Sequence, residues 1–135
     1  MNRLLAACIA LWLLPGVAGA QTEDCPPFSS PKSEKALEKA EDAGRYDVEK
    51  RINILEDAWE HDPQCYACLQ ALGHLHFSLF KRGSASSHSA EETLTALVGD
   101  CPDFHAEPWY ELGAMAYANG DASTAIERFT RFLDF

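Results

Sequence analysis

The chain has 135 residues, with 11 basic against 21 acidic side chains and a formal net charge of −10. That length suits one domain. The acidic excess excludes nucleic acid or an anionic lipid surface as the main partner.

Residues 1–20 read as a secretory leader: Arg3 supplies the charge, an apolar run follows from Leu4 to Leu14, and Ala18-Gly19-Ala20 forms the cleavage site. The apolar run is too short to span a bilayer, so no membrane span is expected in the mature chain. Cys8 leaves with the leader, and too few residues precede it for lipidation. Cys25, Cys65, Cys68 and Cys101 remain, an even set that an oxidising compartment pairs into disulfides.

Residues 21–31 form a polar, proline-rich lead-in without periodicity. The first predicted helix covers 33–43, with Ala36, Leu37, Ala40 and Ala43 at three- and four-residue spacings. A second begins after Asp47, carries Ile52, Leu55, Ala58 and Trp59 on one face, and stops before Pro63. A third runs from about 65 to 80. A polar loop at 81–89 leads to a fourth helix at 90–98, closed by Gly99 and Pro102. The fifth spans 108–118 with Pro108 in its first turn, and the sixth starts near 122 and runs toward Phe135. No stretch alternates with period two long enough to suggest a strand. The expected class is all-α.

Three helix pairs invite a search for a repeat. Trp109-x2-Leu112-Gly113 is followed by Ala125-x3-Phe129, and Leu69-x2-Leu72-Gly73 by Ala90-x3-Leu94 and Pro102. This pattern resembles the tetratricopeptide repeat family over residues 32–135, with units at about 32–63, 65–102 and 106–135, the last one truncated. The second unit has extra residues in its loop, and the first is degenerate. The resemblance implies a right-handed solenoid of three hairpins, in which glycines admit close helix approach and neighbouring pairs bury each other's apolar faces. Together with the leader, the segments 65–73 and 101–110 also resemble the N-terminal module of bacterial envelope proteins that carry a β-propeller and a domain similar to outer membrane protein A. That implies an exported protein of the periplasm or outer-membrane-associated envelope.

The resemblance further implies a binding groove on the outward residues of each first helix. These are Glu34, Glu38, Glu41 and Asp42, then Gln70, His74 and Phe77, then Tyr110, Ala114 and Tyr117. Carboxylates at one end and aromatics at the other suit a basic or proline-containing protein segment. Phe77 and Tyr117 have an alternative role as packing residues. In a repeat of this family the second helix ends beside the start of the first. That implies a Cys68–Cys101 disulfide, with Cys25 left for Cys65.

Candidate chemistry is sparse. No Gly-x-Ser-x-Gly, phosphate loop or His-Glu-x-x-His occurs, so no enzyme, cofactor or metal is expected. His74 and His76 stand two apart on a helix and point in directions too different to chelate together. Cys65-x2-Cys68 leaves one enzymatic alternative, a periplasmic thiol–disulfide oxidoreductase, although no βαβ pattern surrounds it. A further alternative is a module that docks only against a following domain. Phe129, Phe132, Leu133 and Phe135 place apolar residues on more than one face of the last helix. A solenoid end needs a polar cap, so the expectation is a longer chain or a covering partner.

Overall fold

The computed structural model describes residues 25–135, and residues 1–24, with the expected leader, lie outside them. Among the described residues there are six helices and no strand: α1 (Pro31–Asp42), α2 (Val48–His61), α3 (Tyr66–Lys81), α4 (His88–Asp100), α5 (Glu107–Ala118) and α6 (Ala122–Leu133). The all-α class stands. The polar loop is shorter than expected, because Lys81 still belongs to α3 and α4 starts at His88.

Side-chain caps set most of the starts. The Ser30 hydroxyl accepts from the Ser33 N–H at 3.3 Å, with Pro31 in the first turn. The Asp47 carboxylate accepts from the Lys50 N–H and that of Asp121 from the Thr124 N–H, each at 3.1 Å. Each cap satisfies a backbone donor that the helix itself leaves free, worth about 1 kcal/mol. Asp62 joins the ends of two helices. Burial opposes its ionisation, but hydrogen bonds from Ser29, Ser33 and the Gln64 N–H outweigh that and hold the carboxyl below its ordinary value.

The helices pair in chain order, α1 with α2, α3 with α4 and α5 with α6, and each pair packs on the next through α2–α3 and α4–α5. The first helices also touch, α1 with α3 and α3 with α5. Hairpins one and three do not meet. The core follows this order. Ala40, Leu55 and Ala58 pack with Cys65, Cys68, Leu72 and Leu75, while Phe77, Ala90 and Leu94 pack with Leu112 and Met115.

Two glycines bring the paired helices close. A Cβ built on Gly73 would lie 2.6 Å from Leu94 Cγ, and one on Gly113 would lie 2.8 Å from the Phe129 ring. Each glycine therefore receives a large side chain from the second helix of its own hairpin.

The disulfides depart from the expected pairing. Cys25 is bonded to Cys101, with Cα atoms 6.0 Å apart, and Cys65 to Cys68, with Cα atoms 5.2 Å apart. The reason lies in the two sides of α3. Cys65, Cys68 and Leu72 lie at three- and four-residue spacings and face the first hairpin. Tyr66 and Leu69 face the other way, toward Leu97 and Cys101. The lead-in runs past the start of α3, where the Pro27 carbonyl accepts from the Ala67 N–H at 3.0 Å, and so delivers Cys25 to the Cys101 side. The Cys25–Cys101 bridge spans 76 residues, and in the chain-entropy account a loop of that length stabilises by about 4–5 kcal/mol.

Gly73→Ala is expected to destabilise the chain by about 1–3 kcal/mol through overpacking against Leu94. Gly99→Ala, a helical site where a Cβ meets nothing within 4 Å, is expected to be neutral or to stabilise by up to about 1 kcal/mol. Urea unfolding of both variants checks the opposite signs.

Candidate functional site

The first helices of hairpins two and three present one continuous face. Gln70, His74 and Phe77 recur every three or four residues along α3, and Glu107, Glu111 and Ala114 do the same along α5. Two hydrogen bonds join these rows. Gln70 Nε2 donates to Glu107 Oε2 at 3.3 Å, and His74 Nδ1 lies 2.5 Å from Glu111 Oε1. Both bonds connect residues 37 positions apart. Contacts that advance together along two helices mean that α3 and α5 run parallel.

The middle of this face is polar. His74 Nδ1 also lies 3.8 Å from Glu107 Oε1. Glu111 is only 1% exposed, and its Oε2 is buried with no hydrogen-bond partner among the described residues. Burial pushes its carboxyl above the ordinary value, Glu107 adds to that, and the hydrogen bond and charge of His74 offset only part of it. His74, Glu107 and Glu111 hold their donor atoms within 4.8 Å of one another, a nitrogen-and-carboxylate set of the kind transition metals accept. The hydrogen bond already satisfies His74 Nδ1 and Glu111 Oε1, so we read the cluster as a polar link between α3 and α5. His76 is turned elsewhere, 3.9 Å from Glu56 on α2. Burial lowers its pKa against the opposing charges of Glu56 and Glu92.

Beyond the polar link the face becomes aromatic. A hollow of about 360 Å³ is lined by Phe77, Phe80, Lys81, Tyr110, Ala114 and Ala118. Another of about 410 Å³ opens on the far side of Tyr110, against His105, Glu107 and Phe132. Tyr110 thus forms a wall shared by both. Its ring centroid stands 5.9 Å from Phe129 and 5.6 Å from Phe132, and the residue is 47% exposed.

The expected groove residues fall into three groups. Gln70, His74 and Tyr110 meet on the α3–α5 face. Phe77 lines the hollow but is a core residue, packed with Leu94 and Met115, while Tyr117 is 72% exposed and lies outside the lining of either hollow. Glu38 and Glu41 are exposed on α1, and among the described residues no hydrogen bond or ion pair ties them to the polar link. The carboxylates at the centre are Glu107 and Glu111, which sequence reasoning missed. The available signal was Glu111 itself, a charge set directly before Leu112-Gly113, where the preceding unit has Ala71 before Leu72-Gly73.

An acid with a raised folded pKa binds more protons folded than unfolded. Its stabilising contribution is full below the unfolded value, near 4.5 for Glu111, and is lost as pH rises through the folded value. Urea unfolding across a pH series is therefore expected to show the parent chain losing stability relative to Glu111→Gln as pH climbs above 4.5. A pH-independent difference would contradict the shift. The face stands on its own geometry, because no family model, curated protein or solved structure matches this chain.

Proposed function

We propose that the chain is an exported, non-catalytic scaffold of the tetratricopeptide type that holds a protein segment or a neighbouring domain on the face built by α3 and α5. The observation that carries the reading is the parallel packing of α3 and α5, which sets Tyr110 between two open hollows. Shallow hollows beside an exposed aromatic suit a side chain inserted from an extended segment, and tyrosine is enriched among residues that dominate interface energetics. The net charge of −10 favours a basic segment, and the exposed Tyr110 ring favours a proline-containing one. Export rests on the leader and on the four cysteines paired in two disulfides. The proposed address is the periplasm or the outer-membrane-associated envelope.

A second reading keeps the thiol–disulfide oxidoreductase. In its favour, Cys65 and Cys68 close a disulfide at the start of α3, where Cys65 Sγ accepts from the Cys68 N–H at 3.3 Å, and a helix start lowers a thiol's pKa. Against it, both residues are 0% exposed, while an exchange step needs a sulfur that another thiolate can reach.

Two measurements separate the readings. Tyr110→Ala combined with Tyr117→Ala is expected to weaken capture of envelope proteins by tenfold or more, since a dominant interface aromatic is worth about 2 kcal/mol, with circular dichroism unchanged. Unaltered capture, or loss of helix, would remove the face from consideration. Separately, insulin reduction is expected to show no turnover, and steady turnover lost in Cys65→Ser would favour the enzyme.

A further inference from the structure

Five arginines lie among the described residues, and they divide by position. The two in α6 are engaged: Arg128 donates to the Leu112 carbonyl at 3.0 Å and Arg131 pairs with Asp103. The other three, Arg45, Arg51 and Arg82, converge on one hollow of about 370 Å³ between the α1–α2 turn, α2 and the end of α3. Among the described residues none of these three has a carboxylate within 4.0 Å. Arg51 is half-buried, and its Nε is shut away from solvent with no hydrogen-bond partner among the described residues. Three unpaired guanidiniums around one hollow repel each other in a chain that is otherwise strongly acidic. A bound anion removes that repulsion and supplies the missing acceptor.

We propose that this hollow is an oxyanion-binding site, taking a single carboxylate or phosphate group carried on a short apolar body. Guanidiniums present planar forks that match either oxyanion. Ser78 adds a hydroxyl to the same wall. Val48, Leu75 and Leu79 supply the apolar side, with Leu75 only 6% exposed. The volume lies at the small end of the range for ligand sites, so it admits one compact anionic group. The net charge of −10 opposes approach by a polyanion. The same chemistry is carried by a free organic acid and by the last residue of a peptide. Of the α3–α5 face only His74 also lines this hollow, and Tyr110 and Tyr117 do not.

The test is a titration of the full chain with inorganic phosphate and with hexanoate, followed by backbone amide shifts. Saturable shifts are expected at residues 45–51 and 74–82. The doubly exchanged Arg45→Gln, Arg82→Gln variant is expected to bind about tenfold more weakly or worse, given the strength of charge-assisted hydrogen bonds. Both side chains are exposed, and Arg82→Gln alone gives the same direction with a smaller step. The Tyr110→Ala, Tyr117→Ala chain is expected to keep full anion binding, which separates this site from the groove. A short peptide ending in leucine that binds more tightly than hexanoate, and is lost on amidation, assigns the source to a chain terminus. Equal binding by hexanoate assigns it to a free acid, and either result upholds the site. No saturable shift with either anion, or shifts that survive the double exchange unweakened, would overturn it.

Discussion

Leu94 seated over Gly73, and Phe129 seated over Gly113, decide how near the two helices of a hairpin can come. At that separation a hairpin is too thin to enclose its own apolar side chains. Leu72 and Leu75 must look to the first hairpin for cover, and Leu112 and Met115 share a cluster with Phe77 and Leu94. Stacking is therefore a consequence of close pairing rather than an addition to it. The α3–α5 face follows in turn, because stacked hairpins bring their first helices side by side.

That chain of consequences explains what could be read from the residues alone. Helix positions, the two close-approach glycines and the order of the hairpins are local matters, carried by three- and four-residue spacings and by caps such as Asp47 and Asp121. The disulfides are not local. The choice between Cys25 and Cys68 as partner for Cys101 depends on which side of α3 each sulfur occupies, and on a lead-in that has no periodicity from which to place it. The α3–α5 face shows the same division. Gln70, His74 and Tyr110 were legible from repeat register, whereas Glu111 was hidden because a charge inside an apolar run only makes sense once His74 stands opposite.

Charge is distributed less evenly than the net value suggests. Carboxylates cover the outer faces of α1 and α2, two sit inside the α3–α5 link, and the arginines separate into an engaged pair on α6 and a free group beside α2 and α3. An acidic protein can therefore present a local positive field at one end of its middle helix. The low dielectric around half-buried Arg51 strengthens that field relative to open water.

The Cys25–Cys101 bond has a mechanical meaning as well. Tension applied through the segments on either side of the bridge passes from Cys25 straight to Cys101, and helices α1 to α4 carry none of it. Among the six helices of the described residues, only α5 and α6 can lengthen. An ordinary stack of hairpins peels from both ends, whereas this one has a clamped end and a yielding end. The yielding end is the hairpin that displays Tyr110 and Tyr117, so a load on the chain would reach the face before it reached the rest of the fold.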